Sequence, residues 1–145
     1  MRRGVTLIEL LVVLVVIGLM AGIVVPGAAS LADRMAVEHE AARLMVAYRS
    51  AWLTAKVQHR LALLQVTADS LAIRTVSSAG AADTTLTWLA PGPGLAGVAI
   101  TAVPHVTVFA PNGAAMGFAN TRHVLSKRGA SRQVVVSRLG RVRVF

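Results

Sequence analysis

Residues 4–13 are GVTLIELLVV, and no charged residue follows Glu9 until Asp33. The uncharged run of 23 residues between these two acids is long enough for a helix that spans a bilayer core of ~30 Å. A carboxylate costs roughly 2.5–3.5 kcal/mol near the centre of such a helix, and somewhat less toward its end. Glu9 is therefore predicted to be functional. Its nearest candidate cation is an amine on Val5, which exists only if the chain is cut after Gly4.

Composition predicts one domain and an anchor. The chain has 145 residues, of which 55% are apolar, and removing the apolar run leaves roughly 110 residues, enough for one modest core. The absence of cysteine excludes disulfides and thiolate metal sites.

Charge is distributed unevenly along the chain. All six acids lie before residue 84, whereas the last 62 residues contain seven bases and no acid. This asymmetry favours a polyanionic partner or an acidic neighbouring protein. A basic surface that merely keeps the protein soluble is the alternative.

The N-terminus differs from an ordinary signal peptide. Arg2 and Arg3 place residues 1–4 in the cytoplasm by the positive-inside rule. Residues 28–30, Ala-Ala-Ser, offer an alternative signal-peptidase site. A generic signal does not explain a glycine, a hydroxyl residue and a glutamate in this order.

Residues 4–13 resemble the class III leader and mature start of type IV pilins and type II secretion pseudopilins, with Val5 where these proteins usually have phenylalanine. The resemblance implies that residues 1–4 are a leader, which a prepilin peptidase removes between Gly4 and Val5 before methylating the Val5 amine. It also implies that Glu9 pairs with the N-terminal amine of an adjacent subunit during assembly. Pro26 corresponds to a proline that kinks the helix in these proteins. A plain single-span anchor is the alternative.

One helix is predicted from about Val5 to about Val57. Residues 5–30 would form its transmembrane or filament-core part, and residues 31–58 its amphipathic continuation. Apolar residues at three- and four-residue steps are predicted to form the buried face of this continuation: Leu31, Met35, Leu44, Met45, Tyr48, Trp52 and Ala55.

Residues 59–145 alternate with a period of two and are predicted to form an antiparallel β domain. The fold class is therefore α+β, a type IV pilin-like long helix packed on two small sheets. The predicted strands are residues 61–66, 70–76, 84–89, 98–103 and 106–109, an irregular strand over 115–121 and 123–125, and a hairpin of 132–137 with 141–145.

Two segments of the second half carry a narrower resemblance. Residues 106–113, VTVFAPNG, and residues 140–144, GRVRV, are similar to the minor pilins and pseudopilins of the GspH/FimT family. In its DNA-uptake members a Gly-Arg-x-Arg element at this place is associated with DNA binding, and residues 140–143 match it. Secretion pseudopilins carry similar endings.

No catalytic constellation is present in the sequence. The four histidines lack metal-ligand spacing, and no glycine loop has the residues of a phosphate-binding motif. We therefore expect no enzyme activity, no cofactor and no metal.

The basic C-terminus is the one candidate binding site. In a strand, Arg141 and Arg143 share one face, with Arg138 in the turn beside them. Lys127, Arg128 and Arg132 are predicted to lie in a glycine-containing loop near this hairpin. Arginine forks suit phosphate oxygens, so DNA binding here would be backbone-directed and sensitive to salt.

The sequence thus predicts a minor pilin or pseudopilin in the tip or initiating complex of a type IV pilus or type II secretion pseudopilus. The alternative is a DNA-binding minor pilin that acts in DNA uptake. The expected partners are other pilins or pseudopilins, a prepilin peptidase and the inner membrane, with double-stranded DNA as a partner only in the alternative. The expected location is the bacterial inner membrane, crossed once, with the C-terminal domain in the periplasm until assembly.

Overall fold

The computed structural model describes residues 6–76, 84–117 and 120–145. Within these ranges it contains one long α-helix, a short 3-10 helix (Pro93–Ala96) and nine strands. Their bounds are α1 (Leu7–Gln58), β1 (Ala62–Val66), β2 (Ser70–Val76), β3 (Thr84–Pro91), β4 (Ala99–Ile100), β5 (His105–Phe109), β6 (Ala115–Met116), β7 (Thr121–Lys127), β8 (Ala130–Val136) and β9 (Val142–Val144).

Helix α1 is continuous over 52 residues, which makes it about 78 Å long at 1.5 Å per residue. It continues through Pro26. At its end His59 adopts a left-handed conformation with φ of 52°, and its N–H donates to the carbonyl of Ala55. This cap satisfies a terminal carbonyl that has no partner further along the helix.

The helix has an uncovered part and a packed part. The described side chains before Asp33 are exposed, and Asp33 is the first buried one. From there the buried positions recur at three- and four-residue steps: Val37, Ala41, Leu44, Ala47, Tyr48, Ala51 and Ala55.

The predicted buried face was wrong at its N-terminal end. Leu31 is 58% exposed and Met35 is 64% exposed. At 3.6 residues per turn, Met35 lies about 180° around the helix from Leu44, and Leu31 about 140°. The residues that continue the buried face toward the N-terminus are Val37 and Asp33. The other predicted members are buried or half-buried.

The strands form two antiparallel sheets that pack on α1. The five-stranded sheet has the order β3-β2-β1-β5-β6, and the four-stranded sheet the order β4-β7-β8-β9. The predicted α+β architecture of a long helix against antiparallel sheets is thereby confirmed. Helix α1 packs most extensively against β8.

The core lies between α1 and the two sheets. Its largest fully buried apolar or aromatic side chains come from all three parts: Leu44 and Tyr48 from α1, Leu64, Leu71, Ile73 and Phe109 from the five-stranded sheet, and Leu125 and Val134 from the four-stranded sheet. The rings of Phe109 and Tyr48 pack nearly perpendicular to each other with centroids 6.4 Å apart.

Three strand predictions need correction. The strand expected over 98–103 is only Ala99–Ile100, and β3 continues to Pro91. The irregular strand expected over 115–125 is two strands in different sheets, β6 and β7. The loop expected to hold Lys127, Arg128 and Arg132 is a hairpin instead, because Lys127 pairs with Ala130 across a two-residue turn. Both turn residues, Arg128 and Gly129, have positive φ (44° and 99°), as tight hairpins require.

Candidate functional site

The start of α1 exposes the predicted assembly residue. Thr6 caps the helix, and its Oγ1 accepts from the backbone N–H of Glu9 at 3.3 Å. The Glu9 side chain is exposed. Within the described ranges no cation lies within 4 Å of it. Gly4 and Val5, the predicted cleavage pair, lie outside the described residues.

The helix beyond Glu9 presents apolar side chains to its surroundings. It is long and apolar enough to cross a membrane, and the mean hydropathy of its most apolar 18 residues is 3.0. A Cβ added at Gly18 or Gly22 would meet no atom within 4 Å. The part of the chain that the structure describes therefore leaves this surface uncovered.

The predicted basic cluster is divided into two groups. In the first, Lys127 Nζ lies 3.9 Å from Asp33 Oδ1, and Arg128 Nη1 lies 3.7 Å from Asp33 Oδ2. Arg132 binds Glu38 Oε2 through Nη2 at 2.9 Å and Nε at 3.1 Å. These bases therefore lie at the end of the domain nearest the uncovered part of α1.

The second group lies on β9 and the turn before it. Val142 and Val144 pack against the core, whereas Arg141 and Arg143 are exposed, so the predicted alternation holds. Arg49 of α1 joins Arg141 and Arg143 around a hollow of about 480 Å³. Arg138 is exposed in the same turn. None of these four arginines is in a salt bridge within the described residues.

A tryptophan supports the turn that carries the second group. Trp52 Nε1 donates to the carbonyl of Gly113 at 3.0 Å, and Lys56 Nζ lies 4.7 Å from the centroid of its ring. A Cβ at Gly140 would lie 2.6 Å from Trp52 Cδ1, and Gly140 has a φ of +72°. Both the conformation and the close approach require glycine here.

The two basic groups occupy different places along β8. Lys127 and Arg128 are at the β7–β8 turn, where Lys127 pairs with Ala130, and Arg132 lies two residues further along β8. The second group is at the opposite end of β8, where Val136 pairs with Val142. Six residues at about 3.3 Å each separate the two ends by about 20 Å. Sequence reasoning missed Arg49, because its distance along the chain gave no sign that α1 passes beside β9.

A buried polar network joins α1 to both sheets. The Tyr48 hydroxyl lies 2.8 Å from His123 Nε2 and accepts from Thr107 Oγ1 at 3.4 Å. His123 Nδ1 lies 3.1 Å from the carbonyl oxygen of Thr101. Because a carbonyl only accepts, Nδ1 carries the proton in the neutral imidazole, and Nε2 accepts from Tyr48.

Burial controls the ionisation of this network. It raises the pKa of Tyr48 to about 12, although the hydrogen bond from Thr107 opposes the shift. Burial lowers the pKa of His123; the Thr101 carbonyl opposes this, and nearby His105 adds to it. Burial also lowers the pKa of His105, whose ring centroid is 5.4 Å from that of His123. The network therefore holds its groups neutral at neutral pH.

The histidines do not form a metal centre with the other described residues. His105 and His123, which the sequence shows only as separate residues, are adjacent in space. Across residues 6–76, 84–117 and 120–145 no three His, Asp or Glu side chains group closely enough to hold a metal ion. The two basic groups and Glu9 remain the candidates for binding.

Comparison with known proteins gives similarities in sequence and in fold. Residues 1–25 match the model described as the prokaryotic N-terminal methylation motif. Two crystal structures of the type IV minor pilin FimU of Pseudomonas aeruginosa are similar to the chain. One has a TM-score of 0.64 at 18% identity, covering 79% of this chain and 92% of that one. The other has a TM-score of 0.57 at 16% identity, covering 74% and 91%. No curated protein sequence matches.

These findings show a pilin-like chain. It carries the methylation motif of prepilin-type leaders at residues 1–25 and has the type IV pilin fold. Both of the similar crystal structures are of a type IV minor pilin. The apolar helix is compatible with anchoring in a membrane and with pilus assembly.

Proposed function

We propose that this pilin-like chain is a minor pilin or pseudopilin, a structural subunit in the tip or initiating complex of a type IV pilus or a type II secretion pseudopilus. One observation carries the proposal. Glu9 is exposed at the start of an uncovered apolar helix, and a carboxylate in that setting needs a cation from outside the described residues.

Processing would supply that cation. A prepilin peptidase cuts between Gly4 and Val5 and methylates the new amine, which stays positively charged. Glu9 of one subunit then pairs with the amine of its neighbour as the helices pack. A buried carboxylate that finds its partner in only one arrangement disfavours subunits in the wrong register.

Before assembly, α1 would anchor the chain in the bacterial inner membrane with the β domain in the periplasm. Arg2 and Arg3 precede the apolar run, which favours a cytoplasmic N-terminus. Gly18 and Gly22 permit close approach of a neighbouring helix. Pro26 removes a hydrogen-bond donor from the helix interior, so this zone would bend most readily on packing.

The test is replacement of the acid in a host that assembles the filament. Glu9→Ala is expected to leave cleavage and methylation intact, measured by mass spectrometry, and to abolish incorporation, measured in sheared filaments. Asp69→Ala, which removes a carboxylate from a β-turn, should incorporate normally. Normal incorporation of Glu9→Ala would overturn the pairing role, and an intact Met1 would overturn the processing scheme.

A second candidate function is capture of double-stranded DNA in uptake. It is favoured by Arg49, Arg141 and Arg143, which surround one hollow and form no salt bridge within the described residues. Guanidinium groups suit phosphate oxygens. Lys127, Arg128 and Arg132 take no part in this version of the site, because all three are paired with acids. Lys127 and Arg128 also lie about 20 Å away.

A gel-shift titration of the full chain in detergent tests this candidate. Arg141→Gln combined with Arg143→Gln should weaken binding and reduce the slope of log K against log salt by about 0.9 for each phosphate that the variant no longer neutralises. The charge-matched control, Arg128→Gln with Arg132→Gln, should bind like the unaltered protein. If the variant with Arg141→Gln and Arg143→Gln bound double-stranded DNA as tightly as the unaltered protein, the proposed site would be overturned. Impaired incorporation with unchanged DNA binding would indicate docking to an acidic subunit.

A further inference from the structure

The first basic group lies at a defined depth along α1. The uncharged run ends at Ala32, and its 23 residues measure about 34 Å as a helix, slightly more than a hydrocarbon core of ~30 Å. Asp33, the next residue, is the one that Lys127 and Arg128 approach. In an anchored chain the β7–β8 turn therefore lies at the level of the lipid headgroups.

This end of the domain is positively charged. It contains the bases Arg34, Lys127, Arg128 and Arg132 and the acids Asp33 and Glu38, which gives 4 − 2, a net charge of +2. The Arg128 side chain is 77% exposed despite its approach to Asp33, and Arg34 is exposed. Both guanidinium groups therefore keep donors free for an outside partner.

A cavity between α1 and the turn is suited to a phosphate group. It has a volume of about 320 Å³ and is lined by Arg34, Val37, Gly129, Ala130, Ser131 and Arg132. Arg34 at its wall can donate to phosphate oxygens, and Ser131 adds a hydroxyl. Arg132 contributes its charge to the wall, although its guanidinium is already paired with Glu38. The cavity opens beside the helix at the residue where the uncharged run ends.

We propose that this surface, formed by Arg34 and residues 127–132, binds the phosphate headgroups of anionic phospholipids in the bilayer that holds α1. The inference rests on the anchoring put forward under the proposed function. Lipid is favoured over nucleic acid because the apolar run itself brings the surface to headgroup depth. Basic residues beside a membrane helix are attracted to anionic lipid over a Debye length of about 8 Å.

Such binding would hold the β domain against the membrane while the subunit is anchored. Entry into a filament removes α1 from the bilayer, so these lipid contacts would have to break at that step. The anionic lipid content of the membrane would thereby influence how readily a subunit is extracted.

The test uses the full chain in lipid nanodiscs. Because the chain has no cysteine, a single fluorophore can be carried by Ser126→Cys, which lies opposite Ser131 in the hairpin and outside the proposed surface. Nitroxide-labelled headgroups report its proximity by quenching. Quenching is expected to be stronger in discs containing phosphatidylglycerol than in phosphatidylcholine discs, and to fall with salt. A probe at Leu139→Cys, in the turn before β9, should be quenched weakly in both.

Variants and a soluble competitor identify the contact. Arg34→Gln with Arg128→Gln should remove the difference between the two discs, whereas the charge-matched Arg60→Gln with Arg122→Gln should preserve it. Free glycerol phosphate at matched ionic strength should change nothing; if it abolishes the difference, the surface binds a soluble phosphate and the lipid assignment is overturned.

The experiment distinguishes failure of the headgroup contact from failure of the membrane anchoring. Equal quenching of the Ser126 probe in both discs, with the protein still disc-bound, overturns the headgroup contact and leaves the anchoring intact. Release of the protein from the discs overturns the anchoring, and the inference with it.

Discussion

Two leucines on the same helix show how differently the two parts of α1 are stabilised. Leu14 is 60% exposed, whereas Leu44 is completely buried. Both lie in regular helical backbone, so helix formation does not depend on the β domain covering the side chain. The contrast teaches that one face of residues 33–58 finds its apolar partners within this chain, whereas the described side chains before Asp33 find none among the described residues.

The largest difference is expected between matched leucine truncations. Leu44→Ala removes a fully buried side chain from the core and should lower the free energy of unfolding by about 2–5 kcal/mol. Leu14→Ala leaves the packing of the domain intact and should leave that free energy unchanged. Urea unfolding of the full chain in detergent, followed by Trp52 and Trp88 fluorescence, measures both. Equal destabilisation by the two variants would break the distinction between the two parts of the helix.

A smaller difference is expected for side-chain hydrogen bonds. Tyr48→Phe leaves His123 Nε2 buried without its donor and should cost about 1–3 kcal/mol of unfolding free energy. Ser30→Ala removes an exposed hydrogen bond to the Gly27 carbonyl and should change stability far less. The same urea titration compares them. A Tyr48→Phe protein as stable as the original would show that the network contributes no net stability.

A glycine pair tests backbone conformation and close approach. Gly140→Ala places a Cβ against Trp52 at a positive φ, and the left-handed conformation alone costs about 1–2 kcal/mol. Gly18→Ala meets open space and should leave unfolding unaffected, while any effect on assembly would appear only in filaments. Thermal unfolding followed by circular dichroism avoids relying on the fluorescence of Trp52. A larger destabilisation by Gly18→Ala would contradict the structure.

The smallest effect is expected from pH. Since burial lowers the pKa of His123, its unfolded form takes up a proton first as pH falls through about 6.5. Its contribution to stability is therefore complete above that pH and is lost between about 6.5 and the lowered native pKa.

Urea midpoints of unfolding, measured above and below a pH of about 6.5, give the contribution of His123 to stability. His123→Gln should flatten the dependence, and the exposed control His59→Gln should retain it. A steeper dependence in His123→Gln than in the unaltered protein would reverse the assigned sign.

The sequence predicts the local part of the fold well. The helix and most strands follow from periodicity, because period 3.6 and period 2 are properties of neighbouring residues. Prediction from the sequence fails where tertiary packing decides which residues are buried. Leu31 and Met35 fit a helical apolar stripe as well as Val37 does, and only the position of the sheets selects Val37. The turn at Arg128 and Gly129 was missed because a non-glycine residue with positive φ is uncommon.

The residues of the candidate site divide in the same way, into those that a local sequence pattern predicts and those that only tertiary packing brings together. Thr6 and Glu9 are visible in the sequence because their pattern is contiguous. The sequence shows an excess of arginine and lysine near the C-terminus. The division of these bases into two groups depends on which acids of α1 lie opposite them. Asp33 and Glu38 are about 90 residues from their partners along the chain, so no local pattern pairs them. The Tyr48–His123 hydrogen bond joins residues 75 apart, and no spacing rule predicts it.

The packing of α1 against β8 has a consequence for biosynthesis. Leu44 emerges from the ribosome about 90 residues before Val134, a delay of about 5–20 s at typical elongation rates of about 5–20 residues per second. Throughout that interval the helix lacks the strand against which it packs most extensively. A nascent chain of this protein therefore exposes the apolar face of α1, which a chaperone could shield until β8 has been synthesised.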